Sequence, residues 1–69
     1  MIRDLVLYIK SERIAQNLTM GELALKSSVS QKHISNIENE KVIPTIETLE
    51  KMAKALGFEI ALQVKVRKS

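Results

Sequence analysis

Sixty-nine residues with a net charge of +3 and no cysteine leave room for one domain and exclude a disulfide framework or a thiolate metal site. A chain this short buries only about 60% of its unfolded surface, so its core is marginal and a partner or a second copy is expected to add to it. The apolar run Leu5-Val6-Leu7-Tyr8-Ile9, hemmed by Arg3-Asp4 and Lys10, is too short to cross a bilayer. The expectation is a cytoplasmic protein with no membrane partner.

Charge distribution says more than the sum. Up to Gly57, eight basic side chains stand against seven acidic ones, while Lys65, Arg67 and Lys68 against Glu59 give the tail +2. This balance permits nucleic acid as a partner without demanding it.

Ile2 to Asn17 reads as a first helix, with Leu5, Ile9 and the aliphatic part of Arg13 at four-residue spacing. Asp4 suits its dipole, Asn17 suits a left-handed terminal position, and Leu18 turns into the core. Leu7, Tyr8 and Ile14 lie off the stripe and are available to the tail or to a partner chain.

Thr19 followed three residues later by Glu22 is a capping-box pattern, so a second helix starts at Thr19. It runs barely two turns, to the break at Lys26-Ser27-Ser28, after which Ser30 caps a third helix. There Val29, Ile34 and Ile37 reach the core, whereas Gln31, Lys32, Ser35 and Asn36 face outward with amide, ammonium and hydroxyl groups, the chemistry that reads base edges. After the loop Asn39 to Pro44, Thr45 caps a fourth helix on which Leu49, Met52, Ala53 and Leu56 recur at helical spacing before Gly57 closes it. Met52 reads as core filler.

At Phe58 the period changes to two. Phe58, Ile60, Leu62, Val64 and Val66 fall on one face and Glu59, Ala61, Gln63, Lys65 and Arg67 on the other, as in a half-buried strand. No other stretch offers it a partner strand, and an unpaired edge invites another chain. The expected solution is a two-fold dimer with two tails in an antiparallel ribbon; the alternative is a frayed tail.

The stretch T-M-G-E-L-A-L-K-S-S-V-S-Q-K-H-I-S-N-I-E, continuing through E-N-E-K-V-I-P-T-I-E-T-L-E-K-M-A-K-A-L-G to Gly57, resembles the helix-turn-helix of the Cro and phage-repressor (XRE) family. Ala24 at the small position between the two helices, Pro44-Thr45 opening the next helix and the closing Ala-Leu-Gly carry the likeness. It implies a mainly α, four- to five-helix, lambda-repressor-like domain over residues 1–57, with residues 58–69 a dimerisation strand and basic tail. The leucine-glycine-aromatic step into an alternating strand is similar to that of HipB-like antitoxin regulators, which bind operator DNA as homodimers and hold a toxin; a stand-alone repressor with a strand-swapped dimer fits it equally.

The resemblance implies double-stranded DNA as partner, a palindromic operator and no cofactor. Gln31, Lys32, Ser35 and Asn36 are the expected base contacts, and Thr19, Ser30, His33 and Lys41 the expected phosphate contacts. Arg13 and Glu38 match a family ion pair between the first helix and the end of the third. Met20 departs from the family's phosphate-touching glutamine, and Ser28 and Glu40 stand where it has glycine. No catalytic constellation stands out: His33 has no second imidazole or thiol beside it for a metal, and the serines lack an evident base. The leading expectation is a dimeric DNA-binding repressor, plausible as the antitoxin of a toxin-antitoxin pair. The alternative is a protein-interaction module that neutralises a toxin.

Overall fold

A computed structural model describes residues 2–60. Within them the chain forms four helices: α1 (Ile2–Ala15), α2 (Met20–Ser27), α3 (Gln31–Glu38) and α4 (Ile46–Ala55). Three starts are fixed by side-chain caps. The Thr19 hydroxyl accepts from the Glu22 N–H while the Glu22 carboxylate accepts from the Thr19 N–H, the reciprocal capping box. Ser30 and Thr45 accept from the N–H groups of His33 and Thr48.

Helix ends are set by four residues in the left-handed region: Asn17 (φ 56°), Ser28 (φ 61°), Glu40 (φ 59°) and Gly57 (φ 92°). At three of them the chain closes in the same way. Leu18, Lys41 and Phe58 donate their N–H groups to the carbonyls of Arg13, Asn36 and Ala53, and Asn17, Glu40 and Gly57 donate to Ile14, Ile37 and Lys54. That pair of bonds is the Schellman motif, which satisfies terminal carbonyls at the cost of a positive φ. Only Gly57 adopts it without a Cβ penalty.

Helix α1 ends two residues before Asn17: Gln16 still donates to the Glu12 carbonyl, and the closing bonds take over from the helical ladder at Asn17. Its buried side chains are Val6 and Ile9, with Leu5 only half-buried. The stripe expected at Leu5, Ile9 and Arg13 is thus rotated by one position at its start, so that α1 meets both α3 and α4.

The core joins Val6 and Ile9 of α1 to Leu23, Val29, Ile34, Ile37, Leu49, Met52 and Leu56, with Met20, Ala24 and Leu18 packed at its margin. Met52 is fully enclosed. Gln16 ties α1 to the end of α4 by donating from Nε2 to the Leu56 carbonyl at 2.8 Å.

Phe58 to Ile60 carry no strand. Phe58 and Ile60 pack against the core, and the Phe58 ring meets Tyr8 edge-on, with centroids 5.1 Å apart and planes at 79°. Leu62, Val64 and Val66, expected on a dimerisation strand, lie outside the described residues. Among the described residues, no helix is long and apolar enough to cross a membrane.

Candidate nucleic-acid interface

Two eight-residue helices, α2 and α3, are joined by a turn so short that their packing must be decided locally. Ser28 takes the left-handed turn, and its N–H donates to the Ala24 carbonyl at 3.0 Å. Next to it the buried Ser27 hydroxyl accepts from the Val29 N–H at 3.2 Å, which folds the chain back so that Val29 enters the core. In the sequence Ser27 stands out only as part of the Lys26-Ser27-Ser28 break. Its burial between a helix end and a buried valine had no separate sequence signal.

On α3, Ile34, Ile37 and Glu38 are buried. At about 100° per residue, Gln31, Lys32, Ser35 and Asn36 share one arc turned away from Ile34 and Ile37, with Glu38 below Gln31 at the far end of the helix. Gln31 and Lys32 are exposed, whereas Ser35, Asn36 and His33 are half-buried. The Ser35 hydroxyl accepts from the Asn39 side-chain amide at 3.3 Å, leaving its own proton free to donate.

The caps of α2 and α3 open onto one shallow concavity lined by Thr19, Gly21, Glu22, Ser28, Ser30 and Gln31 among others. The Thr19 and Ser30 hydroxyls each use a lone pair for the cap and keep an O–H proton that can be given to an anion. Glu22 competes at this end: its carboxylate holds the Thr19 N–H at 2.9 Å, leaving the Met20 and Gly21 N–H groups as first-turn donors. That hydrogen bond also holds the Glu22 carboxyl below the ordinary glutamate range. Lys41 is exposed on the loop beyond α3.

Below this surface, Arg13 braces α3. Its Nε and Nη2 donate to the two Glu38 carboxylate oxygens at 2.8 Å each, and Nη1 donates to the Leu18 carbonyl at 2.7 Å. The hydrogen bond to Glu38 raises the Arg13 pKa despite burial. A second, exposed pair joins Arg3 to Glu40 at 2.7 Å; it escaped sequence reasoning because its partners are 37 positions apart with no shared motif. Met20 is half-buried against the core, so a thioether occupies the position where the family pattern has a polar amide.

A capped pair of short helices at a tight left-handed turn, with the second presenting a polar face, is the architecture of a helix-turn-helix protein. Residues 9–63 match the family described as "Helix-turn-helix", and the chain belongs to that family, of the Cro and phage-repressor (XRE) type. An immunity repressor protein of Bacillus phage phi105 is 36% identical over 53 residues, covering 77% of this chain and 37% of that protein. The "Uncharacterized HTH-type transcriptional regulator y4dL" of Sinorhizobium fredii is 37% identical over 57 residues, covering 83% of this chain and 29% of that protein. The chain thus spans about a third of the length of these curated relatives. No solved structure matches it significantly.

Proposed function

We propose that the chain is a DNA-binding transcriptional regulator that places α3 in the major groove of double-stranded DNA. The observation that carries the reading is the polar arc of Gln31, Lys32, Ser35 and Asn36 on a helix whose other side is held in the core by Ile34 and Ile37 and whose end is anchored by the buried Glu38. A recognition helix held this way presents its amino-terminal residues to base edges while the preceding helix crosses the backbone. Gln31 supplies the donor and acceptor that match adenine N6 and N7, and Lys32 a donor for guanine O6 or N7. Asn36 and Ser35 lie deeper along the same arc.

Phosphates are held by Lys41, His33 and the hydroxyls of Thr19 and Ser30, with the free N–H groups at the amino end of α2 as the helix-terminal contribution. The family match and the repressor and regulator names of the two relatives support this reading. It assigns residues 1–57 to DNA binding and no catalytic role to any residue.

The same proposal makes the working unit a homodimer on a palindromic operator, with residues 58–69 as the joining element. Leu7, Tyr8 and Ile14 leave apolar surface on α1 at 46%, 52% and 55% exposure, and Phe58 leads the chain directly to Tyr8. A ribbon of two tails would cover that surface. Repression is favoured over activation because the phage relative is an immunity repressor.

The test is a binding selection from a random duplex library at stated salt, followed by Gln31→Ala and Lys41→Ala on the selected site. Gln31→Ala is expected to lower specific affinity by roughly 1–3 kcal/mol and relax one base preference, while Lys41→Ala weakens all duplexes alike and flattens the salt dependence. An equal loss for Gln31→Ala on selected and random duplexes would sink the base-contact assignment.

A further inference from the structure

Gly21 lies in the first turn of α2, where glycine gives up more conformational freedom than alanine would. The backbone there does not require it, since Gly57 is the glycine with positive φ. What a side chain there would displace is the neighbour. A Cβ at position 21 would stand 3.2 Å from Gln31 Oε1 and 3.8 Å from both Gln31 Cδ and Thr19 Oγ1. The first of these is too close for ordinary packing, so the carboxamide of Gln31 occupies the notch that the missing side chain leaves.

We propose that Gly21 is the positioning residue for Gln31, its bare backbone giving the carboxamide a resting place on α2 from which it meets a base. The inference rests on the reading of Gln31 as a base contact. Gln31 is itself exposed and comes from the first position of α3, so its long side chain is otherwise free to sample rotamers that binding would have to freeze. Resting against α2 restricts them beforehand. Met20 cannot serve instead, because its side chain is turned to the core margin.

Gly21→Ala tests this, since alanine improves the helix while filling the notch. In the free protein the Gln31 side-chain amide resonances are expected to move, with the fold intact and the thermal midpoint unchanged or higher. On the selected duplex, affinity is expected to fall roughly two- to tenfold, the equivalent of freezing one flexible side chain on binding, with altered preference at the base that Gln31 reads. The loss on the selected duplex is expected to exceed any change on random duplex, which reads the phosphate contacts of α2 alone. In a Gln31→Ala background the same substitution is expected to change nothing further, the non-additivity of residues acting through one contact.

Unmoved Gln31 amide resonances overturn the proposal, as does an equal affinity loss in both backgrounds. If Gln31→Ala alone leaves selectivity intact, the base-contact reading fails and the proposed role falls with it; moved amide resonances would then show the notch contact to be real but unused for DNA.

Discussion

Arg13 and Glu38, 25 positions apart, meet as a planar fork: two hydrogen bonds of 2.8 Å join them, with the Arg13 side chain 11% exposed and that of Glu38 fully enclosed. The pair ties α1 to the carboxyl end of the helix proposed to enter DNA, and its third bond, to Leu18, fixes the entry into α2. Removing one partner of a buried pair costs about 3–5 kcal/mol, because the remaining charge is stranded. At roughly 0.05–0.15 kcal/mol per residue, a loss of that size is comparable with the stability of the whole domain. Arg13→Ala is therefore expected to be largely unfolded near physiological temperature, and Arg13→Met with Glu38→Leu to recover most of the loss. Urea titration monitored by circular dichroism checks both, and an unchanged midpoint for Arg13→Ala would contradict the pairing.

Ser28 sits at φ 61° with its side chain exposed, in a region where a Cβ meets the following carbonyl and costs about 1 kcal/mol or more. Ser28→Gly is expected to raise stability by about 1 kcal/mol, or roughly 4–8 °C in thermal midpoint for a domain of this size. Glu40→Gly at φ 59° is expected to act in the same direction but by less, because it also removes the Arg3 pair, an exposed interaction of small value. A thermal melt in which Ser28→Gly lowers the midpoint would show that the turn is held by something other than backbone conformation.

The capping box predicts a pH dependence with a definite sign. The Glu22 carboxyl is held low chiefly by its hydrogen bond from the Thr19 N–H, so it is easier to ionise in the folded chain than in the unfolded one. Its contribution is present above the ordinary glutamate pKa and is lost as pH falls through the lowered, folded value. Thr19→Ala is expected to cost about 1 kcal/mol at neutral pH from the lost hydroxyl cap, and because alanine keeps the backbone N–H that holds the carboxylate, the Glu22 pKa is expected to move back only by the smaller share that the hydroxyl contributes. Carboxyl NMR titration reads this directly, and a Glu22 carboxyl that titrates in the ordinary glutamate range in the unaltered protein would count against the reciprocal bond in solution.

The proposed dimer can be separated from the domain by truncation after Gly57. Sedimentation is expected to show a dimer for the full chain and a monomer for the shortened one. The truncated chain should also be less stable, because Phe58 no longer covers Tyr8. A dimer that survives the loss of residues 58–69 would place the interface elsewhere.

The sequence by itself determined the helices and their ends: Thr19 with Glu22, Ser30, Thr45, Asn17 and Gly57 act through bonds that close within a few residues, so local chemistry suffices to read them. The buried positions of α3 and α4 were legible for a related reason, since helical period maps sequence onto a face. Tertiary structure decided what depends on the angle and distance between helices. It set the rotation of α1 that buries Val6 while Leu5 is only half-buried, the closure of Gln16 onto Leu56, and the contact of Arg3 with Glu40. The notch at Gly21 belongs with these: the sequence has a glycine in the first turn of a helix, but only the packing of α3 beside α2 brings Gln31 over it and gives the empty space an occupant.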